Sequence, residues 1–521
     1  MSSKGGRRAA IIGAGPGGLA AAMLLAKSGV AVTVFEQDLQ VGGRTKVLTE
    51  GSFRFDMGPT FFLYPQILEN IFASCGLRLA DYVTLKRIEP GYCVTFENGP
   101  SIYASGDIEK LEQEIAKINV QDARNIRRFI AHNRRKLEDF KPILQRPFLS
   151  LIDYLAPSVL KALHHIVPLS SVDQELCKYF TDDRVRLVFS FQTKYLGMSP
   201  FRCPNLFTFL AFLEYEFGVW HPIGGCGAVS DGMARAARDL GVEFRMGEAV
   251  ESIQFDGKKA VGIKTNSAFL PVDTTVINAD FAHAASTLIP DRLRRRWSDK
   301  RIEKMQYSCS TFMLYLGVEG HYDFGHHTIF LSSDYANNIA EIEAANVVPT
   351  QPSLYVANPS RTDPSFSSDG KSSLYVLVPV GHCGKINWAN EKQSFRETII
   401  DRLEGFGFAN LRERIRYERT LTPDDWRDDL SIFRGATFNL AHGLDQMLYF
   451  RPHNRMEDLE GVYVVGGGTH PGSGLPVIYQ GANITVDLIL ADLGLKAHEF
   501  GEVPTVLTTE SSFQYIPPQG G

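Results

Sequence analysis

Ala9 to Glu36 reads AAIIGAGPGGLAAAMLLAKSGVAVTVFE, and the order of residue types in it sets the fold. A short apolar run, Ala9–Ile12, enters Gly13-Ala14-Gly15-Pro16-Gly17-Gly18. An Ala- and Leu-rich segment of helical character follows, and a second apolar run, Ala31–Phe35, closes on Glu36. This is G-x-G-x-x-G in its strand–turn–helix setting, with an acidic residue about 20 positions on. Gly13 permits the tight turn, and Gly15 lets the backbone approach a pyrophosphate closely. Gly17 opens the helix, where free N–H groups face phosphates, and Gly18 lets that helix pack on the strand. Glu36 is placed to accept hydrogen bonds from a ribose diol. A dinucleotide binds here, in an α/β domain of Rossmann type.

Past Glu36 the chain reads Val41-Gly42-Gly43-Arg44, then Phe55-Asp56-Met57-Gly58-Pro59-Thr60. A Gly-Gly-Arg so close to the ribose-binding carboxylate suits a cofactor with a second half to hold. Its glycines bring backbone N–H groups near, and Arg44 carries a fork of donors for a pyrophosphate. These elements resemble the FAD-containing, amine-oxidase-like flavoproteins, and the resemblance implies FAD rather than NAD.

Composition sets the outer bounds. A chain of 521 residues is long for one domain and suits two. With 54 basic and 59 acidic residues the net charge is −5, so no global field recruits nucleic acid. Seven scattered cysteines include no C-x-x-C, which indicates neither a disulfide framework nor zinc and suits a reducing compartment. Lys4, Arg7 and Arg8 before an apolar run imitate a signal peptide, but cleavage there would destroy the nucleotide fold. The longest apolar stretch near the centre, Leu206–Leu213, is interrupted by Glu214 and Glu216, so no spanning helix is expected.

Taken in order, Pro65–Cys75 has helical spacing, and Tyr92–Phe96 with Ser101–Tyr103 forms a hairpin over Asn98-Gly99. Glu109–Ile118 and Ala123–Phe140 are charged amphipathic helices. Pro147–Leu169 is more apolar, with two readings: a helix in a membrane interface, with Lys161, His164 and His165 near headgroups, or one buried in the substrate domain. Adjacent His164 and His165 cannot share a helix face, which disfavours a metal pair. Phe189–Pro222 is dense in rings, either core or the wall of a long apolar tunnel. His326-His327 reads as a surface turn. Strands at Val242–Phe244, Ala249–Phe255, Ala260–Thr265 and Thr275–Asp280 return the chain to the nucleotide domain. Ser310–Val318 and Leu374–Val380 read as strands, and Glu391–Gly405 as a helix.

Near the end, Gly461 to Ala482 reads GVYVVGGGTHPGSGLPVIYQGA: a strand, a glycine loop, and a helix starting near Val477. Such a helix N-terminus stabilises negative charge on a flavin ring. The run GGGTHPGSGLP resembles the C-terminal signature of the bacterial-type phytoene desaturases, the carotenoid dehydrogenases. That resemblance extends to Phe55–Thr60, Pro147–Ser150, Gly218–Gly225, Thr422-Pro423 with Arg427-Asp428, and Phe450–Arg455. It covers nearly all of the chain but the tail. Met57, with Ala73-Ser74-Cys75-Gly76 downstream, is closer to desaturases of C30 than of C40 substrates. Two positions depart from the C40 pattern: His221 replaces an aromatic residue, and Ile152, before Asp153, replaces an arginine. No role of that arginine carries over.

The resemblance implies a discontinuous FAD-binding domain (1–105, 221–290 and 455–500), a helical substrate domain (106–220) and a mixed α+β substrate domain (291–454), while the polar, proline-containing tail (501–521) reads as disordered from its composition. It adds Gly58, Pro59, Thr60, Val250, Asp280, Gly468, Thr469, Pro476 and Val477 to the cofactor-binding residues. It also implies a peripheral protein on the cytoplasmic membrane face, a long apolar polyene substrate, and quinone or dioxygen as electron acceptor. Oligomeric state is left open.

A hydrocarbon offers no acidic proton, so desaturation starts most easily by hydride loss from an allylic carbon to flavin N5. Loss of the adjacent proton then forms the double bond. Asp153 and His221 are the candidate proton acceptors, against the plainer roles of a helix-surface carboxylate and a satisfied histidine. An oxygenase of the same family, an isomerase or saturase, and a prenyl-lipid escort protein are the alternatives. The intact Gly15, Glu36, Gly43-Arg44 and late glycine loop disfavour the escort. No cysteine follows Cys383, so the flavin is expected to be non-covalent.

Overall fold

The computed structural model describes residues 6–497, except 164, 166, 168 and 369. His164 and the 501–521 tail therefore lie outside the described residues. At the centre is a five-stranded parallel sheet in the order Glu243–Met246, Ala31–Glu36, Arg8–Ile12, Thr274–Ile277, Val462–Val464. Arg8–Ile12 pairs with Ala31–Phe35 on one side, and its Ala9 to Ile12 pair with Thr274–Ile277 on the other. Parallel strands are covered on both faces, which is why these read as unbroken apolar runs. Helices Pro16–Lys27, Cys226–Asp239 and Leu475–Asp492 close one face in a single core with Ile11 and Val34. Phe281–Leu288, Trp297 and a three-stranded sheet (Val250–Asp256, Lys259–Thr265, Phe269–Pro271) close the other. Helix Pro16–Lys27 is apolar nearly all round because the other two helices flank it.

A second, seven-stranded sheet runs Ile415–Leu421, Ser310–Glu319, Lys371–Val380, Leu354–Ala357, His327–Leu331, Tyr92–Phe96, Ser101–Ala104. Every neighbour is antiparallel except His327–Leu331 with Tyr92–Phe96. Helix Trp388–Gly405 packs on one face. The other face turns toward helices Ile126–Leu144 and Phe209–Phe217, which share a core with the Tyr92–Phe96 hairpin.

The surface turn expected at His326-His327 is not what the chain forms. Both rings are buried, and His327 opens a central strand. Burial is tolerated because His326 Nδ1 meets Thr362 Oγ1 and His327 Nδ1 meets Tyr355 OH at 2.7 Å. Burial also holds both imidazoles well below the usual histidine range. Pro147–Leu169 forms a short turn, Leu151–Leu155, and a short helix, Pro157–Leu163. The segment is divided: Phe148, Val159 and Ala162 are buried, whereas Ile152 is 75% and Leu169 98% exposed. His165 is held by Asp139 at 2.8 Å. Among the described residues no helix is long and apolar enough to cross a membrane.

Candidate active site

One cavity of about 810 Å³ runs from the Gly13–Gly17 turn to the ring-rich segment. Its polar end is built from absent side chains. Gly13 sits at φ +101°, and a Cβ there would fall 2.3 Å from Asn278 O. A Cβ on Gly15 would lie 2.8 Å from Asn278 Oδ1, an oxygen that is buried without a hydrogen-bond partner. Gly18 is a packing position, since its Cβ would strike Gly13 O at 2.3 Å. Glu36 ends its strand with Oε2 accepting from Ala14 N (2.8 Å) and Oε1 from Asp38 N (3.0 Å). Burial pushes its carboxyl above the usual range, against the pull of those two N–H groups.

Arg44 enters from the next turn and donates to Thr437 O at 2.6 Å. With its amide oxygen toward Arg44, Asn439 accepts at 2.9 and 3.0 Å and donates to Asp280 Oδ2 at 2.7 Å. Asp280 also caps helix Phe281–Leu288 through His283 N. This relay ties together three segments distant in sequence. Gly58 O accepts from Tyr375 OH (2.7 Å), and Thr60 Oγ1 lies 2.6 Å from Tyr355 OH. The Gly58–Thr60 segment thus joins the nucleotide domain to the seven-stranded sheet.

At the late loop, Gly474 at φ +112° turns the chain into helix Leu475–Asp492, which starts earlier than expected because Pro476 fits the first turn. Its unpaired first N–H groups form one wall of the cavity. The loop is held from behind by Arg451, a fully buried guanidinium. It donates to the carbonyls of Thr469 (3.1 Å), Gly467 (2.7 Å), Leu440, Ala441 and Gln446. Burial pushes that guanidinium down to about 9.

The cavity wall contains Gly13, Gly15, Gly17, Glu36, Gly43 and Arg44. It also contains Gly58, Pro59, Thr60, Val250, Asp280, Pro476 and Val477. Gly468 and Thr469 stand behind it, Gly468 packed on Phe281 and Thr469 held by Arg451. Asp153 and His221 lie elsewhere. Asp153 Oδ2 caps its own turn through Leu149 N (2.9 Å) and Ser150 N (2.8 Å), and Oδ1 accepts from Arg146 at 3.1 Å. His221 is buried in strand Val219–Pro222, with Nε2 2.9 Å from Asp363 Oδ2. Burial raises the Asp363 carboxyl, but hydrogen bonds from His221 and from the N–H groups of Gly224 and Ser365 bring it down to about 2.

A different carboxylate stands behind the wall. Glu214, in the apolar helix Phe209–Phe217, is 2% exposed and accepts from Tyr195 OH (2.6 Å) and Gln192 Nε2 (2.9 Å). Burial pushes it up to about 7 despite those donors. Tyr195 itself faces the cavity and lies 5.5 Å, ring to ring, from Phe61. In the sequence Glu214 is one of two acids, with Glu216, that break an apolar run and so exclude a membrane span.

The cradle fits a flavin dinucleotide: a turn without side chains, a ribose-facing carboxylate, a basic fork and a second helix N-terminus share one space. Residues 16–483 match the model of the flavin containing amine oxidoreductases. The chain is 39% identical over 482 residues to a 4,4'-diapophytoene desaturase (4,4'-diapolycopene-forming) of Methylomonas sp, covering 92% of this chain and 94% of that one. It is 41% identical over 509 residues to an all-trans-zeta-carotene desaturase of Myxococcus xanthus, covering 95% and 96%. In fold it is similar to an oxidoreductase from Methanosarcina mazei, with a TM-score of 0.64 at 18% identity over 91% of this chain and 98% of that one. Family model and relatives agree along the same span, and this chain belongs to the flavin-containing amine oxidoreductases.

Proposed function

We propose that the protein is an FAD-dependent desaturase of an acyclic polyene carotenoid precursor. The observation that carries this reading is the continuity of the cavity. The nucleotide cradle opens directly onto apolar and aromatic walls, including Phe140, Leu206, Phe207, Phe209 and Leu213. Relatives named for diapophytoene and zeta-carotene desaturation support it. Bound FAD supplies a two-electron acceptor for the hydride. Non-covalent binding is supported by the cavity lining, which contains no cysteine among the described residues.

The remaining work belongs to the chain. Along its length a polyene has no polar handle, so the walls hold it by shape and exclude water, and the end group is left open. Neither Asp153 nor His221 faces that space, and we place the proton acceptor at Tyr195. Its hydroxyl takes the proton adjacent to the hydride-losing carbon as its own proton passes to Glu214 Oε1, leaving one new C=C and one protonated carboxyl. The Glu214 carboxylate, unpaired with any cation among the described residues, also stabilises positive charge growing on the polyene. Asp153→Asn is expected to cost about 1 kcal/mol of stability through its weakened cap. Thermal unfolding reads that loss, with the chemical step unchanged.

A membrane surface is the proposed source of substrate. Leu151, Ile152, Leu155 and Leu160 are exposed beside Tyr154, which lines the cavity, and Leu444 and Phe450 are both exposed and part of its wall. Quinone or dioxygen is the proposed final electron acceptor. The test is anaerobic mixing of flavin-loaded protein with liposomes carrying a C30 or C40 polyene. Bleached flavin and a red-shifted product are expected, and the faster substrate sets the chain length. Flavin that no polyene bleaches would overturn the reading.

A further inference from the structure

The apolar part of the cavity has a polar end. Ser353 lies two residues before Tyr355, just ahead of strand Leu354–Ala357, and both line the cavity. There the wall includes Lys194, Tyr335 and Asn338. Tyr335 and Asn338 stand at i and i+3 on helix Tyr335–Ala344, so they share a face. Asn338 is 2% exposed, and its Oδ1 accepts from Ser353 N at 3.1 Å, which fixes the amide and turns its NH₂ away from that bond. Among the described residues that Nδ2 has no partner, and neither has the hydroxyl of Tyr335, which is 7% exposed. Lys194, from the turn Phe191–Leu196, lines the same cavity, and no carboxylate pairs with it among the described residues; Glu343, an acid whose charge it feels, is ion-paired with Arg202 at 3.8 Å. Cys309 N donates to Gly197 O at 3.1 Å and Gly197 N to Lys194 O at 2.9 Å, and the Cys309 thiol is within electrostatic reach of both Lys194 and Tyr335. Other polar groups in this part of the wall are engaged, Tyr195 by Glu214 and Tyr355 by Thr60 and His327.

An ammonium and an amide NH₂ only donate, and a phenol donates readily. Three such donors on one cavity wall, none paired with an acceptor among the described residues, recognise an oxygen that only accepts. A hydrocarbon end would desolvate all three and pair with none. We propose that this end binds a carbonyl or carboxylate at the terminus of the polyene, so that the preferred ligand is oxygenated at one end. The inference rests on the desaturase reading and names the end group that reading leaves open. Lys194 supplies the charge, and Tyr335 and Asn338 fix the orientation. The ring-rich walls select a polyene rather than a saturated chain.

The test measures Kd for flavin-loaded protein by quenching, using liposomes that carry three probes of equal chain length. These are a polyene hydrocarbon, the same polyene with a terminal carboxylate, and a saturated fatty acid. The polyene acid is expected to bind at least about tenfold more tightly than the hydrocarbon. Lys194→Met is expected to abolish that preference and Lys194→Arg to keep it, which separates lost charge from lost folding. Equal affinity for acid and hydrocarbon, or a preference that survives Lys194→Met, overturns the proposal. So does a fatty acid that binds as well as the polyene acid. If the hydrocarbon still bleaches the flavin in that case, only this inference fails; if no polyene bleaches it, the desaturase reading fails instead.

Discussion

Gly15→Val is expected to give a folded protein that purifies without flavin. Gly15 has φ −74°, so a side chain there strains no backbone and the domain can still form. The obstacle is space. Its Cβ would stand 2.8 Å from Asn278 Oδ1, and Asn278 cannot retreat because its Nδ2 is tied to Val465 O at 3.0 Å. The branched methyls then occupy the face on which a pyrophosphate must lie. Overpacking of this kind costs about 1–3 kcal/mol, or roughly five- to 150-fold in affinity. Flavin absorbance per polypeptide and FAD titration of the apoprotein read the effect, and circular dichroism confirms the fold. Normal flavin content would place the phosphates somewhere other than this turn.

Glu214→Gln is expected to slow the chemical step about a hundredfold while leaving flavin bound. The amide oxygen still accepts from Tyr195, so the wall keeps its shape and loses only its base. The pH dependence identifies the cause. Because burial raises the carboxyl to about 7, the wild-type rate should climb as pH rises through that value and the carboxylate forms. The variant should show no such rise. Stability moves the other way. An acid whose pKa is raised on folding binds its proton more tightly in the native state, so its contribution declines between the unfolded value near 4.5 and about 7. Above pH 7 the wild type buries an unpaired charge that the variant lacks, and Glu214→Gln should melt at a higher temperature there. A variant with the wild-type rate and profile would remove Glu214 from the reaction.

The parts legible from sequence were those whose reasons are local. The glycine turn, Glu36 and the late glycine loop announce themselves within a few residues, because a tight turn and a helix start are short-range objects. The acid–base group was not legible in that way. Asp153 reads as a free acid until Arg146 and the N–H groups of Leu149 and Ser150 are seen around it. The partner of His221, Asp363, lies 142 residues away. Glu214 gave a signal it shared with Glu216, since an acid in an apolar helix is costly to bury without a reason; only the fold shows that Glu216 turns out to Arg134 and Glu214 turns in. What sequence withheld was Tyr195, which meets it only when the chain folds back. Arg451 is similar: its partners are all backbone carbonyls, which leave no mark in side-chain identity.

The order of the five parallel strands fixes when a newly made chain can hold its cofactor. Arg8–Ile12 and Ala31–Glu36 leave the ribosome long before Thr274–Ile277, which then has a bare edge until Val462–Val464 arrives. An open edge of this kind invites pairing with other half-made chains. The helix that closes the cradle, Leu475–Asp492, emerges later still. Capture of the flavin therefore waits for this helix, and a polypeptide that stops before it has the first glycine turn and nothing to face it.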